Sequence, residues 1–184
     1  MRVTKGKLNR QRLRIPTDGE VRPTARRLRE TLFEFLGRRI AGARWLDLCA
    51  GSGAVGIEAL SRGASFATFV ERETEACALI EANLTACGAR QQAEVLRSEA
   101  ASFLRQTGAT ETWDIAFFDP PYASDYASVL TLFGAGAALT RKGGVLVVEH
   151  RFDHKLADSL GVLRRWRLIK QGQSCLSFYE RRRG

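Results

Sequence analysis

Apolar positions change their spacing along the chain, and the changes mark out its parts. In the first fifteen residues Val3, Leu8, Leu13 and Ile15 stand among basic and polar neighbours, which suits one or two short strands around Gly6. Pro16-Thr17-Asp18-Gly19 reads as a turn. After Arg22-Pro23-Thr24 the spacing becomes helical: Ala25, Leu28, Leu32, Phe35 and Leu36 share a face, Thr24 suits the N-cap and Gly37 can end the helix.

From Arg44 onward, short apolar runs alternate with helical patterns. The spacing predicts strands over 45–48, 66–71, 94–97, 113–118 and 144–149. Helices fall between them over 54–61, 74–87, 100–104 and 125–133. In the second of these helices Cys77, Ile80, Leu84 and Cys87 line one face, and Gly88 stops it. Two extended runs in the tail, 162–170 and 173–180, can pair as a hairpin across Gln171-Gly172. Strands separated by helices at this spacing imply a parallel sheet covered on both faces. The expected fold is α/β, a Rossmann-like doubly wound and mostly parallel seven-stranded sheet over 21–184. A basic strand extension over 1–20 precedes it. Ligands of such sheets lie beyond the carboxyl ends of the strands.

Composition narrows the class. A chain of 184 residues that is 45% apolar can bury one core. Its apolar runs are strand-length, far from the ~20 residues of a membrane span. The basic N-terminus has no apolar stretch of the secretory kind. Four dispersed cysteines without a C-x-x-C pair argue against disulfides and zinc and fit a reducing cytoplasm. The net charge is +9 and segregated. Residues 1–39 carry twelve Lys/Arg against four Asp/Glu and residues 164–184 seven against one, while the middle is acidic. Cationic ends suggest a face for a polyanion.

Chemistry collects at the strand ends. Gly51, Gly53 and Gly56 satisfy G-x-G-x-x-G after the first strand, and Glu71 closes the second. A dinucleotide enzyme would place a pyrophosphate at this loop. Asp47 beside it would repel that phosphate but suits the ammonium and sulfonium of S-adenosylmethionine. Glu71 fits a ribose in either case. After the fourth strand comes Asp119-Pro120-Pro121-Tyr122. An aromatic exocyclic amine is a poor nucleophile because its lone pair delocalises into the ring. Acceptors on its two N–H groups, the Asp119 carboxylate and the Pro120 carbonyl, favour a pyramidal nitrogen. The prolines hold that carbonyl rigidly, and Tyr122 can stack on an extruded base.

With these motifs in place the chain resembles the bacterial 16S ribosomal RNA guanine-N2 methyltransferases. The likeness runs through Arg22-Pro23-Thr24, Arg29-Glu30, Leu46-Asp-Leu-Cys-Ala-Gly-Ser-Gly53, Glu58-Ala-Leu-Ser-Arg-Gly63 and Asp119-Pro-Pro-Tyr122. The resemblance implies a donor site on Asp47, Ala50, Gly51, Ser52, Gly53, Glu71 and Arg72, with Thr24 nearby. It implies a guanine site on Asp119 to Tyr122, and 16S rRNA, within the small subunit or its assembly intermediate, as partner of a monomer. The RNA contacts it suggests are Lys7, Arg10, Arg12, Arg14, Arg22 and Arg29. Two departures stand out. Where the family usually has Asp after the third strand the chain reads Ser98-Glu99-Ala100, so either Glu99 or backbone meets the adenine. The N-terminal stretch from Asn9 to Leu13 lacks the usual glycine.

Other readings compete. His150 and His154 are taken as surface histidines, and no metal is expected. Trp166 and Tyr179, among tail arginines, either stack on RNA or pack a hairpin. A nonenzymatic RNA-binding domain leaves Asp119-Pro-Pro-Tyr122 without purpose. A DNA adenine-N6 methyltransferase presents the same amine problem, but about forty residues outside the core leave little room for a target-recognition domain.

Overall fold

A computed structural model of the chain describes residues 1–16, 23–107, 110–121, 125–139 and 143–181, with 23–25 as backbone only. The 17–19 part of the expected turn, Arg22, the Thr24 side chain and Tyr122 lie outside the described residues. The α-helices among the described residues are α1 (Pro23–Leu36), α2 (Ala54–Ser61), α3 (Thr74–Ala86), α4 (Ala100–Thr107) and α5 (Tyr126–Gly134). The strands are β1 (Arg44–Leu48), β2 (Phe66–Glu71), β3 (Ala93–Arg97), β4 (Ile115–Phe118), β5 (Val145–Arg151), β6 (Ser159–Leu160), β7 (Leu163–Gln171) and β8 (Ser174–Arg181).

They form one sheet in the order β3-β2-β1-β4-β5-β8-β7-β6. The first five strands are parallel, and β8, β7 and β6 are added antiparallel. The doubly wound expectation holds with one correction: the sheet has eight strands. The extra strand, β6, has two residues, too few for any period to show.

Two apolar layers sandwich the sheet. Trp45, Ile57, Leu60, Phe69, Ile80, Phe117 and Val147 pack beneath α1, α2 and α3. Leu46, Leu48, Phe118, Val129, Phe133 and Val148 pack beneath α4 and α5. Alternate residues of one strand serve opposite layers, as the period of two requires. Among the described residues no helix is long and apolar enough to cross a membrane.

The basic N-terminal segment is bound to the domain along its length. It folds back on itself through the Arg2–Arg12 bridge and the Val3 N–H to Gln11 carbonyl bond of 3.1 Å. Val3 and Leu13 point inward and join the core, leaving Arg2, Lys5, Lys7, Arg10, Arg12 and Arg14 exposed. The buried Glu58 of α2 accepts from the Thr4 N–H at 2.8 Å and the Lys5 N–H at 3.1 Å. Ser61 accepts from the Leu8 N–H at 2.9 Å. This clasp accounts for the Glu58-Ala-Leu-Ser motif: its polar members hold the segment. A Cβ on Gly6 would stand 1.8 Å from the Ser61 carbonyl oxygen, so the approach there requires glycine.

The tail hairpin packs rather than presenting two aromatic platforms. Tyr179 is fully buried and donates to the Ala157 carbonyl at 2.7 Å. Trp166 is half-exposed against Phe178. The expectation of two surface histidines holds for His154 alone. His150 is buried, with its ring nitrogens 2.8 Å from the Arg151 carbonyl and 2.9 Å from the Ser177 hydroxyl. Period-two burial along β5 puts it inside once its strand is paired on both edges. The four thiols are free, Cys87 and Cys175 buried and Cys49 and Cys77 only partly so.

Candidate active site

The turn out of β1 is built from residues in left-handed backbone: Cys49 at φ 62°, Gly51 at 56° and Gly53 at 74°. It delivers the chain into α2, where the Ile57 N–H closes on the Gly53 carbonyl at 2.9 Å. Asp47 lies under this turn. It is 2% exposed, and its carboxylate accepts from the Gly56 N–H at 2.8 Å. Asp47, expected at the donor, has its side chain turned toward α2, where it fastens the loop. Burial, opposed by the Gly56 bond, raises its pKa well above the usual carboxylate range.

Above the ends of β1, β2, β3 and β4 lies a cavity of about 400 Å³. Gly51, Glu71, Arg72, Ser98, Glu99, Ala100 and Asp119 to Pro121 all line it, so four strand ends bring the predicted residues together. Glu71 is fixed by three backbone donors. One oxygen takes the Gly51 N–H at 2.9 Å, and the other takes those of Arg72 at 2.8 Å and Glu73 at 3.1 Å. Glu99 caps α4, accepting from the Ser102 N–H at 3.0 Å.

The lining is acidic. Glu71, Glu73, Glu99, Asp119 and Asp125 surround the space, against Arg72, which is paired with Glu73 at 3.0 Å. The Cys49 thiol registers the combined field. Burial and then the carboxylates of Glu71, Asp119, Asp47 and Glu99 push its pKa to about 12. A thiol so placed stays protonated and is no nucleophile at neutral pH. The same field would repel a diphosphate and attract a cation.

A second recess of about 220 Å³ opens on the α1 side. Ala50 and Ser52 line it with Leu28, Leu32, Phe117 and Glu149, while Cys49, Gly51 and Asp119 line both spaces. Asp119 thus stands at the junction. It is exposed to the cleft, yet protein crowds it on most sides, and desolvation pushes its pKa to about 6. Pro120 behind it is buried. Gly53 is buried under the turn, where it shapes the loop.

One contributor escaped the sequence reading. Asn83 of α3 is 1% exposed and joins the glycine turn to the basic segment. Its amide nitrogen donates to the Ser52 carbonyl at 2.9 Å and the Arg14 carbonyl at 3.0 Å, and its oxygen accepts from the Arg14 N–H at 2.8 Å. The signal was present: Asn83 sits three residues after Ile80, on the apolar face of its helix.

The predicted RNA contacts divide. Lys7, Arg10, Arg12 and Arg14 are exposed, and Arg10 and Arg12 line a cleft shared with Arg2 and Arg26. Arg29 lines the same cleft from below its surface. It is 7% exposed and donates to the Arg2 carbonyl at 2.9 Å, with Glu58 4.0 Å away. It lies on the inward face of α1, beside Leu28 and Leu32, where the core and Glu58 hold it.

Over residues 1–180 the chain matches the family described as Conserved hypothetical protein 95. The Ribosomal RNA small subunit methyltransferase D of Buchnera aphidicola (subspecies Acyrthosiphon pisum) is 30% identical over 169 residues, covering 92% of this chain and 85% of that one. The protein of the same name from Escherichia coli K12 is 41% identical over 122 residues, 66% of this chain and 60% of its own. The solved structure of a protein from Thermus thermophilus superposes with a TM-score of 0.82 at 32% identity, covering 97% of this chain and 98% of that one. The chain belongs to the Conserved hypothetical protein 95 family.

Proposed function

We propose that this chain is an S-adenosylmethionine-dependent methyltransferase acting in the cytoplasm, as a monomer, on the exocyclic N2 amine of a guanine in 16S ribosomal RNA. The observation that carries the reading is the position of Asp119, which lines both the acidic cavity and the recess beside it. One space suits a cationic donor and the other an acceptor, and the group that conditions the amine stands between them. The relatives named as small-subunit ribosomal RNA methyltransferases support RNA as the acceptor.

When bound, the donor supplies an electrophilic methyl group on a positively charged sulfur. The residues of this chain do the rest. Glu71 has one carboxylate acceptor site to spare, on the oxygen that takes the Gly51 N–H, for a ribose hydroxyl, and Ser98 to Ala100 border the space for the adenine. The Asp119 carboxylate and the Pro120 carbonyl accept from the two amine N–H groups, so the nitrogen lone pair is aimed at the methyl. The proton released as the N–C bond forms has Asp119 as its nearest acceptor. Tyr122 is assigned to stacking on the base. Lys7, Arg10, Arg12 and Arg14, with Arg22, are assigned to the RNA backbone, which needs charge and no base reading.

The test is incubation with radiolabelled S-adenosylmethionine and three acceptors: small subunits from a methylation-deficient strain, naked 16S rRNA, and duplex DNA. Label recovered as N2-methylguanosine is the expected result. Label in DNA adenine would move the chain to the adenine-N6 class. A protein that binds the RNA and transfers no label would be a binding domain.

A further inference from the structure

Glu149 is a carboxylic acid that the mechanism above leaves idle. It ends the apolar run of β5, and Phe117 pairs with Val147 and Phe118 with Val148 across β4 and β5. The next positions in that register are Asp119 and Glu149. Side chains at neighbouring positions of paired strands share a face, and both acids line the recess under α1. The rest of that lining is largely apolar, with Leu28 and Leu32 of α1, Phe117 of β4 and Leu176 of β8. A half-buried acid on such a wall is costly without a partner. Its own partner is the Ser174 hydroxyl, which donates to it.

Resting on the proposed reaction, we infer that Glu149 is a second residue of the acceptor site: its carboxyl meets the ring edge of the base beside the amine that Asp119 holds. A neutral carboxyl offers one donor and one acceptor. The amine of guanine is flanked by a ring N–H on one side and a bare ring nitrogen on the other, and an uncharged acid can serve either. An ionised Glu149 would offer acceptors alone and would place a second negative charge next to Asp119.

The surroundings favour the uncharged form. Burial is the largest cause, repulsion from Asp119 the second, and together they push the Glu149 pKa to about 8 against the Ser174 hydrogen bond. The residues lining the recess that carry titratable groups, besides Glu149 itself, are Asp119 after β4, Cys49 after β1, Arg29 on α1 and Met1, whose terminal ammonium donates to the Leu13 carbonyl at 2.9 Å. Cys49 is protonated, and Arg29 is engaged by the Arg2 carbonyl, with Glu58 4.0 Å away. Asp119 and Glu149 line one recess and titrate as a pair, and burial of Glu149 favours keeping the pair's proton on it.

The experiment compares the wild type, Glu149→Gln and Glu149→Ala in single-turnover methyl transfer from pH 6 to 9.5. Donor affinity is measured in parallel by calorimetry, and the acceptor is whichever nucleic acid the wild type labels. An amide keeps one donor and one acceptor. Glu149→Gln should therefore transfer within a few-fold of the wild type at pH 7 and lose the wild-type decline above about pH 8. Glu149→Ala should lose about tenfold to a hundredfold, the cost of an unpaired polar edge, with donor affinity nearly unchanged. Equal losses in both variants, or an alkaline decline that persists in Glu149→Gln, would overturn the assignment. So would a loss of donor affinity in Glu149→Ala as large as the loss of transfer, since the recess would then serve the donor. If Glu149→Ala does not fold, the Glu149→Gln profile decides alone. Label in DNA overturns the RNA reading and leaves Glu149 to be judged on that acceptor. A wild type that labels no nucleic acid overturns both.

Discussion

The Asp47 carboxylate and the Gly56 N–H, nine residues apart, meet at 2.8 Å beneath the glycine turn. That bond ties the end of β1 to the first turn of α2 and sets the path of the residues between them. A Cβ on Gly56 would lie 2.3 Å from the Phe69 ring and 3.0 Å from the Asp47 carboxylate. The Gly56→Ala variant should therefore lose about 1–3 kcal/mol, as overpacking does. Asp47→Ala should lose about 1–3 kcal/mol by stranding a buried N–H. Asp47→Asn keeps an acceptor and should lose less. Urea denaturation checks the order, and calorimetry should show weaker donor binding in step with the loop damage.

Asp119→Ala should abolish methyl transfer while donor affinity stays within a few-fold of the wild type. Asp119 adds one wall to a cavity whose other acids remain. Single-turnover transfer and calorimetry on the same variant separate the two effects. A collapse of donor binding would show that the donor and acceptor spaces have been interchanged.

The reaction needs Asp119 as a carboxylate, and its pKa is pushed up to about 6. Transfer by the wild type should fall as pH drops through about 6. Stability runs the other way. Asp47, Asp119 and Glu149 all have raised folded-state pKa values, so the folded chain holds protons that the unfolded chain releases. Their contribution is complete below the unfolded carboxylate range near 4 and is lost as pH rises through the folded values. Between pH 5 and 8 the urea midpoint of the wild type should decline more than that of an Asp119→Asn, Glu149→Gln double variant.

Arg10 and Arg12 are exposed on a cleft shared with Arg2 and Arg26. Replacing both with alanine should weaken RNA binding whatever the sequence. The slope of log affinity against log salt should fall by about two for two lost phosphate contacts. Filter binding across a salt series reads this directly, and donor affinity should not change.

Asn83→Ala removes three hydrogen bonds, two to Arg14 and one to Ser52. Stability should drop by about 1–3 kcal/mol. Because Asn83 joins the basic segment to the glycine turn, donor and RNA affinities should weaken together. Fluorescence titration with donor and RNA in turn tests the coupling.

Strand and helix alternation, the glycine turn and Asp119-Pro120-Pro121 are local patterns, legible from neighbouring residues. The same is true of α2 and β2, whose predicted bounds match the structure, because Gly53 and Gly63 bracket the one and a short β-favouring run from Phe66 to Val70 marks the other. Tertiary structure alone decided which way each polar side chain faces. Asp47 reads as a ligand group and turns out to fasten a loop. Arg29 reads as a surface cation and is buried against the N-terminal segment. His150 goes inside because β8 pairs along β5. Glu149 gives almost no signal, since it closes an apolar strand, and Asn83 gives only its place on the apolar face of α3. Asn83 takes its role from Arg14, 69 residues away along the chain. Glu149 takes its own from Asp119, which the pairing of β4 with β5 brings beside it. Local patterning follows from backbone periodicity, which neighbouring residues set. The use of a buried polar group depends on the partner that folding brings to it, and that partner is fixed only when the layers close.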